Sequence, residues 1–227
     1  ALRLMRGKND LLENFIAFNE RNKLAGRHKR VLLAISGGMD SVVLADLLQR
    51  AGYTFGIAHC NFGLRGDESD GDEQLVRSLA EQYKVPGYFK RFDTEVYATE
   101  HKLSIQVAAR ELRYAWFEQV RRENKFDFIA TAHHLNDNIE TILYNFIKGT
   151  GIRGLRGILP KQQKIIRPLL FATREQIAAW QQEHKLIYRE DSSNASDKYT
   201  RNKLRLQVLP LLKEINPALE ETIGARV

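Results

Sequence analysis

Short apolar runs alternate with amphipathic stretches along the first 150 residues. Four runs bounded by charged or turn residues are typical of buried strands, at residues 30–35, 55–59, 88–92 and 127–131. Helical periodicity fills the remaining stretches, at residues 9–24, 41–49, 69–84, 104–123 and 136–148. The alternation predicts an α/β fold with a doubly wound, Rossmann-like parallel sheet of about five strands.

The pattern changes after Gly157. Residues 164–170 predict one more strand, and Thr173 with Gln176 matches the capping box of a helix that runs to about His184. A polar loop at 191–194 precedes a basic helix that begins near Tyr199, so we expect a small, mostly helical C-terminal appendage. The predicted division is an N-terminal helix leading into the core (1–26), the α/β core (27–160), a basic extension of the catalytic domain (161–212), and the start of a linker toward a C-terminal region that this chain lacks (213–227).

Composition and charge limit the functional classes. No apolar run approaches the roughly 20 residues that span a bilayer, so we expect no membrane partner. The single cysteine, Cys60, cannot form an intramolecular disulfide, which favours a cytoplasmic protein. The net charge of +7 suits a polyanionic partner or a merely basic surface. Acid is concentrated at 67–73 and base at 161–174 and 198–205, which favours a built binding face.

The most specific pattern lies between the first predicted strand and its helix. It reads Ser36, Gly37, Gly38, Met39, Asp40 and Ser41. Two glycines let the backbone turn sharply, and the following helix presents free N–H groups and a positive dipole end. The pattern predicts an anion-binding loop; the alternative is an ordinary strand-to-helix turn with serine and aspartate caps.

Asp40 distinguishes this loop from the common nucleotide-binding loop. That loop ends in Gly-Lys-Ser/Thr, with the lysine reaching the outer phosphates. A carboxylate at the corresponding place repels phosphate unless a cation lies between them. We therefore expect Asp40 to bind Mg²⁺, directly or through water.

The loop resembles the Ser-Gly-Gly-x-Asp-Ser motif of the PP-loop superfamily of ATP pyrophosphatases. Seven further segments, in family order, are similar to the lysidine synthetases: 59–69, 108–114, 130–141, 148–155, 167–170, 191–194 and 199–202. The resemblance covers roughly residues 28–217. The chain departs from the pattern at Phe62, where many members carry a second histidine, which puts a polar contact there in doubt.

The resemblance implies a ligase that uses ATP and Mg²⁺. It would join free L-lysine to C2 of the wobble cytidine of an isoleucine tRNA with a CAU anticodon. The reaction would pass through an adenylated tRNA and release pyrophosphate and AMP. Two alternatives stay open: another PP-loop tRNA enzyme such as a thiolase, and a non-catalytic ATP- or tRNA-binding module. The single cysteine argues against thiolation, which usually needs paired cysteines.

The resemblance also assigns candidate residues for ATP. His59 and His133 join the nucleotide site, with His133 at the phosphates. Arg113 would stabilise charge during phosphoryl transfer; Arg110, on the same helical face, is as well explained by salt bridges. For His134 a packing role is as plausible as a functional one. The implied catalytic set is Asp40, Arg113, His133, Asp137 and Glu140.

Asp137 and Glu140 are the candidates for binding the ammonium groups of lysine. The alternative is a capping box at the helix start, which the spacing also fits. The candidates for contact with tRNA are Arg153, Arg156, Lys198, Tyr199, Arg201, Asn202 and Arg205, although a charge run is commonly a solvated helix face. The sequence leaves open whether the chain forms a homodimer.

Overall fold

The computed structural model describes residues 10–64, 66–152, 154–190 and 202–225. The polar loop predicted at 191–194 lies outside these residues. So do four of the candidates for tRNA contact: Arg153, Lys198, Tyr199 and Arg201.

Six strands form the sheet of the described chain. They are β1 (Arg30–Ala34), β2 (Thr54–Asn61), β3 (Gly87–Arg91), β4 (Phe128–Ala130), β5 (Lys161–Gln162) and β6 (Ile165–Ile166). Their order is β3-β2-β1-β4-β6-β5, and every pair is parallel except β5 with β6. The doubly wound parallel sheet is thus confirmed. The strand predicted over 164–170 is shorter, because Pro168 has no N–H to continue the ladder, and a short antiparallel edge strand joins it.

Nine α-helices surround the sheet in the described chain. They are α1 (Asp10–Arg21), α2 (Met39–Arg50), α3 (Asp67–Tyr83), α4 (Thr94–His101), α5 (Ile105–Glu123), α6 (Leu135–Ile147), α7 (Arg174–Glu183), α8 (Leu209–Ile215) and α9 (Leu219–Gly224). A 3₁₀ turn spans Gly154–Arg156, and a π-helical segment, Leu204–Val208, leads into α8. None of the described helices is both long and apolar enough to cross a bilayer. Among α1 to α7 only α4 was not predicted, because it lacks an apolar stripe and buries little beyond Thr94 and Ala98.

Alternate residues of β1 enter two different apolar clusters. Val31 and Leu33 belong to a cluster that includes buried side chains of α1, α2, α3 and α7. Leu32 belongs to a second cluster, with Trp116 and Val120 of α5. Because helices cover both faces of the sheet, β1 is apolar at successive positions, which explains the continuous apolar run in its sequence.

The strand order reverses direction between β1 and β4. From β1 the chain adds β2 and β3 on one side, and it then returns to place β4 and β6 on the other. In such sheets ligands bind beyond the carboxyl ends of the two strands at the reversal. The loops after β1, β2 and β4 converge there, and Ser36, Phe62 and His133 from these loops line one cleft.

The C-terminal helices pack on α6 rather than on the sheet. A third apolar cluster contains Leu135 and Ile139 of α6 with Leu209 of α8, and α9 adds Leu219 and Ile223 at its margin. The position of this appendage is therefore fixed by the helix that begins directly after β4.

Thr173 provides a test of the capping box at the start of α7. Its side chain accepts a hydrogen bond from the N–H of Gln176 at 3.1 Å, and the Gln176 side chain accepts from the N–H of Thr173 at 2.9 Å, as the predicted capping box requires. We expect Thr173→Ala to lower the free energy of unfolding by about 1 kcal/mol. Thr173→Ser keeps the cap and should stay near the parent. Equal destabilisation of both variants in urea would show that the cap does not contribute.

Candidate functional site

A cleft of about 750 Å³ opens at the reversal point of the sheet. Most of the predicted site residues line it: Ser36, Gly38, Met39, Asp40, Ser41, His59, Arg113, His133, Asp137, Glu140, Asn202 and Arg205. Its volume lies within the range of small-molecule sites in proteins. The structure therefore brings together residues that are up to 169 positions apart, from Ser36 to Arg205.

Two hydroxyl groups set the shape of the loop after β1. Ser41 Oγ accepts from the N–H of Ser36 at 3.2 Å and donates to the Gly38 carbonyl at 2.9 Å. Ser36 Oγ accepts from the N–H of Gly38 at 3.2 Å and lies 3.3 Å from Ser41 Oγ. The serines thus tie the two ends of the loop together.

The two glycines of the loop have different structural roles. Gly37 has φ +93°, a region that residues with a side chain rarely adopt. Gly38 is the N-cap of α2, and it supplies no side-chain hydrogen bond to the first helical turn. The start of α2 therefore offers its amide groups and positive dipole end to an anion, as predicted.

Asp40 is a carboxylate at the edge of this anion-binding loop. Burial raises its pKa, with the His134 ring opposing that shift and the Asp137 carboxylate adding to it. Its Oδ1 is buried and has no hydrogen-bond partner among the described residues. A buried, unpartnered carboxylate oxygen beside a phosphate cradle has the chemistry of a Mg²⁺ ligand.

No group of three His, Cys, Asp or Glu side chains within the described ranges could enclose a metal ion. Mg²⁺ is commonly held by one or two carboxylates together with substrate phosphates. The donor set around Asp40 therefore fits a cation that arrives with a phosphate ligand, and it does not form an all-protein cage.

His134 lies close to the carboxylates of Asp40 and Asp137 in the cleft. It is the N-cap of α6: its Nδ1 accepts from the N–H of Asp137 at 3.4 Å, and Asp137 Oδ2 accepts from the His134 N–H at 3.0 Å. The other ring nitrogen, Nε2, lies 3.7 Å from Asp40 Oδ2 and 3.5 Å from Asp137 Oδ2. The capping box is thus His134 with Asp137. The alternative of a box between Asp137 and Glu140 is wrong, because α6 begins at Leu135 and Glu140 lies beyond its first turn.

Two further histidines in the cleft are held neutral. Burial lowers the pKa of His133 to about 4, against the opposing charge of Asp137, and its Nδ1 lies 2.9 Å from Thr131 Oγ1. Burial also lowers the pKa of His59, whose Nδ1 donates to the Ile35 carbonyl at 2.9 Å. Both rings therefore act near neutral pH as hydrogen-bonding groups without charge.

Two of the arginines that line the cleft, Arg110 and Arg113, come from α5. The Arg113 guanidinium lies 5.1 Å from the centre of the Phe62 ring, which stacks on Phe92. Arg110 lies over Tyr114 at 5.2 Å. Neither arginine forms a salt bridge within the described chain, so the salt-bridge explanation for Arg110 gains no support. Phe62 serves as an apolar platform for Arg113, in a cation–π contact that a histidine would make differently.

Glu140 and Arg205 pair with each other inside the cleft. Arg205 donates from Nε at 2.6 Å and from Nη2 at 2.9 Å to the two oxygens of Glu140, which is buried. This pairing raises the pKa of Arg205. Arg205 lies in the π-helical segment Leu204–Val208, a geometry frequent at functional sites. Of the candidates for tRNA contact, Asn202 also lines the cleft, whereas Arg156 is exposed outside it.

Several lining residues were not predicted, among them Arg174, Arg189 and Asn61. Arg174 and Arg189 follow the last strand of the sheet in sequence and come to the cleft only through tertiary packing. Asn61 ends β2, and its Nδ2 donates to Asp70 and Glu73 of α3, both at 3.1 Å. Its position at a strand end, within the family-like segment 59–69, is the sequence feature that could have indicated it.

Comparison with known proteins agrees with this geometry. A family model described as a PP-loop domain matches residues 8–212. The tRNA(Ile)-lysidine synthase of Petrotoga mobilis is 36% identical over 217 residues, which cover 94% of this chain and 70% of that protein. The chain belongs to the tRNA(Ile)-lysidine synthase family of PP-loop proteins.

Other relatives differ in coverage and in what they show. The tRNA(Ile)-lysidine synthase of Parabacteroides distasonis is 52% identical over 205 residues, 90% of this chain but 47% of the relative. The chain thus spans about half the length of that family member. A solved U34-tRNA thiolase from Methanococcus maripaludis, described with its [4Fe-4S] cluster, has a TM-score of 0.75 over 94% of this chain and 76% of its own, at 21% identity. That likeness shows a shared fold.

The depressed pKa of His133 predicts how stability depends on pH. The unfolded chain binds a proton near the usual pKa of 6.5, whereas the folded chain binds it only near 4. The free energy of unfolding should therefore fall as the pH drops from 6.5 toward 4. His133→Asn should flatten this part of the curve. Thr131→Val, which keeps the buried ring but loses its hydroxyl partner, should retain the slope. An unchanged slope in His133→Asn would contradict the burial of a neutral ring.

Proposed function

We propose that this chain carries the ATP-dependent ligase site that joins free L-lysine to C2 of the wobble cytidine in an isoleucine tRNA with a CAU anticodon. The observation that carries the proposal is the buried Oδ1 of Asp40, which has no hydrogen-bond partner in the described part of the chain and lies beside the loop after β1 at the sheet reversal. The names of the family relatives supply the substrate class.

The phosphate loop would bind the triphosphate of ATP. Amide groups at the start of α2 and the Ser36 and Ser41 hydroxyls provide donors for phosphate oxygens. Asp40 would hold Mg²⁺, directly or through water, and the ion would neutralise phosphate charge when bound. The two neutral rings, His59 and His133, would contribute hydrogen bonds without adding charge.

Adenylation of the tRNA is the first step of the proposed reaction. The cytidine O2 attacks the α-phosphorus of ATP, the new O–P bond forms, and the bond to the β-phosphate oxygen breaks to release pyrophosphate. Arg113, held over the Phe62 ring, would stabilise the growing negative charge, and the loop amides would do the same. Arg110 lies on the same helix and lines the same cleft.

Lysine transfer is the second step. The neutral ε-amine attacks C2, which adenylation has made electrophilic, and the C2–O bond breaks to release AMP. The amine must lose a proton to a group in the cleft before it can attack. Asp137 lines the cleft beside His134. It would bind an ammonium group of lysine. Glu140 would do so by exchanging its present partner, Arg205.

The tRNA would approach along the basic appendage. Arg156 is exposed, and Asn202 and Arg205 reach the cleft. The remaining candidates, Arg153, Lys198, Tyr199 and Arg201, lie close to these in sequence. The net charge of +7 supports backbone contact with a polyanion of this kind.

Thiolation is disfavoured by the chemistry of Cys60. It is the single cysteine of the chain, and it is only partly exposed. Burial raises its pKa to about 12, so the reactive thiolate is scarce at neutral pH. A sulfur carrier needs an accessible thiolate, and a cluster needs several such ligands.

Incorporation of labelled lysine tests the proposal directly. We expect unmodified CAU-anticodon isoleucine tRNA, incubated with the protein, ATP and Mg²⁺, to gain one lysine, with no gain of sulfur from a sulfide donor. Asp40→Ala should abolish incorporation without lowering the melting temperature, because it removes a carboxylate whose Oδ1 bonds to no other described residue. Transfer of sulfur, or full activity of Asp40→Ala, would overturn the assignment.

The proposed roles of Asp137 and Glu140 belong to lysine transfer, the second step, and not to adenylation. Asp137→Asn and Glu140→Gln should each weaken lysine use by about 1.5–3 kcal/mol, or roughly 10- to 150-fold, while adenylated tRNA still forms. Glu140→Gln should also destabilise the fold, because Arg205 loses its charged partner; Asp137→Asn keeps an oxygen for the His134 amide.

The two half-reactions should be measured separately, by pyrophosphate release and by lysine transfer. Equal losses in both, with an unchanged apparent affinity for lysine, would remove these acids from the lysine site.

A further inference from the structure

The segment after α7 contacts the anion-binding loop that follows β1. The N–H of Arg189 donates to the Gly37 carbonyl at 3.0 Å, and Tyr188, Arg189 and Glu190 all line the cleft. Gly37 is the residue with φ +93°, so this hydrogen bond holds the peptide whose conformation is the least ordinary in the loop.

The side chain of Arg189 continues from the loop to α3. Its Nε donates to Asp72 Oδ1 at 2.9 Å. Its guanidinium covers Gly71: a Cβ added there would lie 2.8 Å from Cζ, 2.9 Å from Nη2 and 3.0 Å from Nη1. Glycine inside a helix costs about 1 kcal/mol relative to alanine, so helix formation does not explain Gly71. Close approach of the guanidinium does.

Asp72 lies directly behind the anion-binding loop. A Cβ added at Gly37 would be 3.7 Å from the Asp72 carbonyl oxygen and 3.8 Å from its Cβ. A carboxylate so near a phosphate cradle opposes the binding of an anion. The Arg189 guanidinium pairs with that carboxylate and so offsets its charge on the loop side of α3.

We propose that Arg189 is a positioning residue. It holds the anion-binding loop against α3 and thereby sets the affinity of the site for the triphosphate. Its backbone fixes the Gly37 peptide, while its side chain, seated on Gly71, screens Asp72. The identity of the ligand as ATP rests on the proposed function. The contact between loop, arginine and helix rests on the geometry alone.

A structural role and a positioning role predict different results. The Arg189 side chain is 45% exposed, so its removal should change stability little. In Gly71→Ala the added methyl displaces only the far end of a flexible side chain, while alanine favours the helix. Stability should therefore hold or rise in this variant while ATP binding weakens, a combination that a merely structural contact does not give.

The experiment measures ATP affinity by calorimetry, in Mg²⁺, together with thermal unfolding. The variants are Arg189→Ala, Gly71→Ala and their double. We expect each single change to weaken ATP binding roughly threefold to tenfold, within the range for coupled neighbours. The double variant should be no weaker than Arg189→Ala, because both changes remove the same contact. Arg91→Ala is the matched control: it removes an exposed ion pair to Asp70 on the same helix and should bind ATP like the parent.

Parent-like affinity in Arg189→Ala would overturn the clamp, and so would losses that add in the double variant. Failure of the parent to bind ATP would also overturn it. If the singles weaken ATP binding as expected and the parent transfers no lysine to tRNA, the clamp stands and the proposed reaction fails.

Discussion

A carboxylate at the edge of an anion-binding loop is electrostatically unfavourable until a cation joins it. Asp40 is in this position, and burial already raises its pKa. The scaffold around it is well ordered by other means: two serines close the loop, α2 begins behind it, and β1 is buried on both faces. The free energy for holding Asp40 there comes from this packing, and the unsatisfied oxygen is left for a ligand.

The other charges of the cleft are arranged around that constraint. The histidines contribute little charge, because burial keeps His59 and His133 neutral. Permanent positive charge comes instead from arginines, which stay ionised in such surroundings. Arg113 rests on an aromatic ring, and Arg205 is held by Glu140, so each guanidinium is oriented by a neighbouring side chain. This arrangement suits transfer of an adenylyl group, in which charge builds at a fixed place.

Much of the fold and part of the candidate site could be predicted from the amino-acid sequence. The apolar runs identified four parallel strands, and the Gly37-Gly38 pattern located the turn between β1 and α2, because both depend on local sequence. The Thr173 capping box was also local and was confirmed. The short strand β5 and helix α4 were missed, since neither has a periodic apolar pattern. The pairing of Glu140 with Arg205, and the approach of Arg189 to the loop, depend on tertiary packing between residues 65 and more positions apart.

The central claim is that this cleft splits ATP between its α and β phosphates. The most direct measurement is the identity of the nucleotide product when the protein is mixed with ATP, Mg²⁺ and unmodified tRNA in the absence of lysine. The account predicts pyrophosphate in an amount equal to the AMP that becomes attached to tRNA or is released by its hydrolysis. Formation of ADP and inorganic phosphate would contradict it.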